Sequence, residues 1–127
     1  MNIKALPFSL MYLLIVACNQ NSDENEDVVC TLSLEPGIII SVEDANTRQS
    51  IAGSSTAFLT DGTYQETVEP QNAAAVYLAG AFERAGTYTV RVHHDGYQDW
   101  SVSDVEVEQG KCHVVTDELA ASLIPIQ

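Results

Sequence analysis

Hydrophobic positions follow two regimes along this chain. Residues Ala5 to Ala17 form a nearly unbroken apolar run, interrupted only by Pro7 and Ser9 and preceded by Lys4. The run shows no polar stripe, as an amphipathic surface helix would. It has the length of a signal-peptide core and falls short of the roughly 20 residues that a membrane-spanning helix needs. From Val28 onward no helical period is found. Short β-rich runs alternate with turn signals instead, at the spacing expected of a β-sandwich.

Ile38, Ile40 and Val42 alternate with Ile39, Ser41 and Glu43, and "DANTRQS" (44–50) then makes a polar turn. "STAFLT" and "TYQETV" flank Asp61-Gly62, a strong hairpin signal. "QNAAA" (71–75) reads as a loop, and "AVYLAGAFE" (75–83) resumes the strand pattern. In the strand opened by Gly86, Tyr88, Val90 and Val92 share one face. The next strand contains a phase slip. Trp100 and Val102 are in step, but Val105 and Val107 fall on the opposite phase, which predicts a bulge or break near Ser103-Asp104. Leu119, Ala121 and Leu123 alternate in a last strand, although Glu118–Leu123 is also compatible with a helical turn.

Between the two regimes lies a cysteine. "LIVAC" (14–18) resembles the bacterial lipoprotein box, an apolar pair and a small residue before an obligatory cysteine. That resemblance implies removal of residues 1–17, and a diacylglycerol on Cys18, which becomes the new N-terminus. Several acyl chains hold a protein durably at a membrane where one does not. Asn19 after the cysteine implies, by the same resemblance, an outer-membrane destination. Residues 18–27 carry Asp23, Glu24, Glu26 and Asp27 with nothing apolar to bury, and read as a disordered acidic tether. All 18 acidic residues lie beyond position 18, against four basic ones there (Arg48, Arg84, Arg91, Lys111). Such a charge repels nucleic acid.

"PGIIISVEDANTRQSIAG", followed by "GTYTVRVHHDGYQDWSVSDVEVEQGKCHVVTDELAASL", resembles the carboxypeptidase regulatory-like domains. The shared order is an early strand, a D-x-x-T turn, an "IAG" start to the next strand, then G-x-Y-x-V, G-Y, and a closing strand pair. The resemblance implies one domain over 28–127, an all-β, transthyretin-like Greek-key sandwich of about seven strands. It also implies an accessory or binding role without catalysis.

With Cys18 lipidated, Cys30 and Cys112 remain, an even number in an oxidising compartment. We expect them to form a disulfide between a first strand and a late one. His93, His94 and Asp95 invite a metal reading, but adjacent strand residues diverge and no H-E-x-x-H motif occurs, so no metal or cofactor is expected. Glu35, Glu43, Asp44 and Asp61 could include a catalytic carboxylate pair, though nothing in the sequence brings two of them together. Tyr97 and Trp100 are open to two readings, a ligand platform or packing between sheets. The loop "HHDGYQDW" combines histidines, acids and aromatics. Its His94, Asp95, Tyr97 and Gln98 are the candidate partner surface, for an envelope protein or a glycan, with Trp100 packed beneath.

The leading expectation is therefore a lipid-anchored, non-catalytic binding or structural module of the bacterial cell envelope. A peptidase-accessory or inhibitor-like module is the alternative. A transthyretin-like hydrolase fits less well, because the chain ends Ile-Pro-Ile-Gln rather than in a Tyr-Arg-Gly-Ser-type tetrapeptide.

Overall fold

A computed structural model describes residues 27–127. The expected signal peptide, the lipidated Cys18 and all of the tether but Asp27 lie outside the described residues.

Alternation along the chain becomes two packed sheets. β1 (Ile38–Asp44), β4 (Tyr77–Gly80) and β8 (Asp117–Leu123) form a three-stranded sheet in the order β4-β1-β8. β2 (Thr56–Asp61), β3 (Tyr64–Val68), β5 (Gly86–His93), β6 (Trp100–Gln109) and β7 (Val114–Val115) form a five-stranded sheet in the order β3-β2-β5-β6-β7. β1 and β8 run parallel and every other pairing is antiparallel. A short 3-10 turn, Ala52–Ser54, links β1 to β2. Among the described residues the fold is an all-β sandwich of eight strands, against the expected seven or so.

The core is what the period of two predicts. Ile38, Ile40 and Val42 of β1, Leu78 of β4 and Leu123 of β8 face Leu59 of β2 and Tyr88, Val90 and Val92 of β5, all buried. Each such side chain contributes about 1.5–3 kcal/mol of burial. The sheets also need close approach. A methyl group on Gly80 would lie 2.6 Å from Val68 Cγ2 and 2.8 Å from Leu59 Cδ1, so glycine lets β4 pack against β2 and β3.

The phase slip in β6 is a bulge. Tyr88 pairs with Val105 but Val90 with Val102, so β6 carries one more residue than β5 across that step. Asp104 supplies the left-handed turn, at φ 58°. The extra residue lets Val102 and then Val105 and Val107 point inward along one strand.

Three expectations need correction. The β2–β3 turn is centred one residue later than Asp61-Gly62, because Asp61 pairs with Tyr64 and leaves Gly62-Thr63 as the loop. Gly62 alone is left-handed there, at φ 58°, the pattern of a turn with glycine first. The strand expected over 75–83 is only Tyr77–Gly80. It stops because Ala81 and Glu83 take left-handed φ of 53° and 51°, with Ala81 N donating to Glu66 Oε2 instead of continuing the ladder. Finally, Cys30 and Cys112 do bond, with Cα atoms 5.2 Å apart, but neither sits in a strand. The bond pins an exposed segment before β1 to the turn between β6 and β7. A disulfide of this kind belongs to an oxidising, extracytoplasmic compartment.

Candidate functional site

The loop after β5 is built by a local turn and then clamped by distant chain. Gly96 at φ 83° lets Tyr97 N donate to His94 O. The C-terminal residues close over it. Gln98 N donates to Ile124 O, Ile126 N donates to Gly96 O, and Tyr97 bridges Pro125.

Beneath the loop, Asp44 ends β1 and organises the turn that follows. Its Oδ1 accepts from Asn46 N at 2.7 Å and Thr47 N at 2.9 Å, an Asx arrangement that accounts for the D-x-x-T pattern. Its Oδ2 accepts from the Tyr97 hydroxyl at 2.6 Å. The tyrosine bond, followed by the two amides, holds the Asp44 carboxyl below its usual range; the same carboxylate pushes the Tyr97 phenol up. His94 is likewise engaged. Its Nε2 lies 2.8 Å from Ser54 Oγ, its Nδ1 lies 2.7 Å from Asp95 O, and its ring meets Tyr97 edge-to-face at 4.8 Å.

The four expected site residues therefore divide. His94 and Tyr97 brace the loop from within, while Asp95 and Gln98 are exposed on its surface. Trp100 pairs with Val92 and packs, half-buried, against the core.

His93, the last residue of β5, and His94, just beyond it, engage different partners. His93 Nδ1 lies 2.7 Å from Asp99 Oδ1 and its Nε2 3.4 Å from Asp95 Oδ1, and Arg91 Nη1 donates to Asp99 Oδ2 at 3.0 Å. Asp99 chiefly, then Asp95, raises the His93 pKa; His93 first, then Arg91, lowers that of Asp99. Arg91 carries this charged edge onto the outer face of the five-stranded sheet, where its guanidinium lies 4.2 Å from the centre of the Phe58 ring. A shallow cavity of about 300 Å³ opens there, lined on the outer face by Phe58, Thr60, Gln65, Thr67, Thr89 and Ser101 around Arg91. Hydroxyls and an amide predominate around Arg91, which is paired with Asp99; the lining also includes Leu59 and Glu66, whose Oε2 accepts from Ala81 N.

The candidate carboxylates are dispersed. Glu43 pairs with Arg48, Asp44 with Tyr97, and Asp61 with Arg84, while the Glu35 backbone N donates to Glu83 Oε1 at 2.8 Å. Among the described residues, no three His, Cys, Asp or Glu side chains are grouped to hold a metal ion. No helix among them is long and apolar enough to cross a membrane.

Two networks carry no motif in the sequence. Arg84 Nη1 donates to Asp61 Oδ2 and to the Tyr88 hydroxyl, both at 2.9 Å, with its guanidinium 3.7 Å from the centre of the Tyr64 ring. Near the disulfide, Thr31 Oγ1 lies 3.0 Å from His113 Nε2, and His113 Nδ1 lies 2.6 Å from Glu83 Oε1. Hydroxyl, imidazole and carboxylate in series is the order of an activated nucleophile. Here Thr31 is exposed, and the Glu83 carboxylate also accepts from the backbone of Glu35 and Val114. The Glu35 amide is the main reason that the Glu83 carboxyl titrates below its usual range. The chain of contacts works as a clamp on the N-terminal segment.

Neither a family model nor a curated protein matches this chain. Among solved structures it is similar to a candidate carbohydrate-binding protein from Bacteroides uniformis, at 17% identity and a TM-score of 0.47. The match covers 72% of this chain and 43% of the other, so the chain spans less than half the length of that neighbour.

Proposed function

We propose that this chain is a non-catalytic binding module of the carboxypeptidase regulatory-like kind. On this reading a lipid on Cys18 holds it at a bacterial outer membrane, and its ligand is an envelope glycan. The observation that carries the reading is the outer-face groove around Arg91. Thr60, Gln65, Thr67, Thr89 and Ser101 offer neutral donors and acceptors. The only cation there belongs to a chain with a net charge of −13. Hydroxyl-rich ligands are recognised by convergent polar groups of this kind on a rigid support. Asp95 and Gln98 stand at the end of the same strand pair, on a loop whose backbone is already fixed, so little ordering entropy is lost on binding.

Affinity for oligosaccharides released from bacterial envelopes, compared between the parent chain, Arg91→Gln and Thr89→Val, tests the reading. Both substitutions lie on the exposed face and should weaken binding while the fold persists. Equal affinity in all three chains would move the ligand off this face.

A further inference from the structure

Among the described residues β4 is an outer strand, paired with β1 on one side only. An unpaired strand edge is a template for another strand, and proteins usually blunt it with charge, proline, brevity or a cover. The other three edges of this sandwich show such devices. β8 begins Asp117-Glu118, β3 carries Glu66, and β7 has two residues. β4 is short too, but its sequence, Tyr-Leu-Ala-Gly, contains no charge and no proline.

A groove of about 360 Å³ with a mixed lining lies beside this strand, between it and the 69–76 connection, where Glu69, Gln71 and Asn72 supply its polar side. Ala75, Val76, Tyr77, Ala79 and Phe82 form its apolar side. Val76, Tyr77 and Phe82 are 60%, 49% and 46% exposed, which for three large apolar side chains in one patch marks an interaction surface rather than scattered surface hydrophobics. The lining has one charged residue, Glu69, whose Oε2 accepts from Thr56 Oγ1 at 3.1 Å.

We propose that the β4 edge takes up an extended segment of a partner protein as an added strand. Its apolar side chains enter the groove and a basic residue lies against Glu69. Strand addition derives affinity from main-chain hydrogen bonds and specificity from pockets for alternate side chains, and this edge offers both. Charge selects the partner. A second copy of this chain would bring a net charge of −13 to a protein of the same charge and to Glu69 at the groove, whereas a cationic strand meets complementary potential. The surface is separate from the Arg91 groove, so the two proposals stand or fall independently.

The test is a titration of the full chain, followed by backbone amide NMR. The probe is the synthetic peptide Lys-Val-Thr-Val-Thr-Val-Lys, and the control has glutamate in place of both lysines. The lysine peptide should shift the amides of Tyr77–Gly80 at up to millimolar concentration, and the glutamate peptide should not. Val76→Lys, at an exposed position, should weaken the lysine peptide about tenfold with the melting temperature unchanged. The proposal is overturned by shifts that map elsewhere, by no shifts at all, or by equal binding of the two peptides or of the variant. Concentration-dependent shifts of the same amides without peptide would overturn it in favour of a second copy.

Discussion

Tyr97 and Asp44 lie 53 residues apart in the chain, and their side chains meet at 2.6 Å. The phenol donates to a buried carboxylate that already accepts two backbone amides, so one contact locks the 94–98 loop to the end of β1. Tyr97→Phe keeps the ring and removes the bond. We expect the variant to fold and to melt roughly 5 °C lower at neutral pH. The Asp44 pKa is held below its ordinary 3.8, chiefly by this bond. Its stabilising contribution is therefore complete above 3.8 and is lost as pH falls through the folded value. Melting curves across the acid range should show a steeper decline for the parent than for the variant, and parallel curves would refute the assignment.

Asp104 adopts φ 58° at the β6 bulge, a conformation that costs an L-residue energy. Asp104→Gly should stabilise the fold by about 0.5 kcal/mol, the strain relieved exceeding the added chain entropy. Asp104→Val should destabilise it by about 1–2 kcal/mol, since a β-branched side chain tolerates this region worst. Chemical denaturation of the two variants measures both. If they change stability in the same direction, the bulge is not where the strain lies.

The Cys30–Cys112 bond closes a loop of 82 residues, which the chain-entropy model values at about 4 kcal/mol. Because Cys30 lies outside the sheets, reduction should free the N-terminal segment and leave the sandwich folded with a lower melting point. Thiol titration of the folded, oxidised chain should find neither cysteine free. Two titratable thiols there would contradict the structure.

Much of this architecture was legible because β-structure writes itself locally. The period of two in Gly86–His93 named its buried face, and the broken phase between Val102 and Val105 located the bulge, since one inserted residue must flip every later side chain. Contacts between distant segments leave no such trace. Nothing around Tyr97 announces Asp44, and nothing in "LAGAFE" announces that Ala81 and Glu83 turn left-handed, because Glu66 and Glu35, from elsewhere in the chain, accept or donate the bonds that hold them. The cysteine count gave the disulfide but not its setting. The candidate loop was found from composition, yet its histidine and tyrosine proved to be braces. The Arg91 groove was missed because it draws residues from four strands.

Cys18 lies outside the described residues, and its role rests on the resemblance to a lipoprotein box. Cys18→Ser should abolish membrane association and leave uncleaved precursor or soluble chain on fractionation of expressing cells. A variant that still partitions with membranes as the parent does would refute the anchor.

The binding reading is tested most directly by locating the ligand. Envelope oligosaccharides titrated into isotope-labelled chain should perturb amides of Phe58, Thr89, Arg91 and Ser101, and with them Asp95 and Gln98 on the adjoining loop. Perturbations confined to other surfaces, or none at saturating oligosaccharide, would contradict the account.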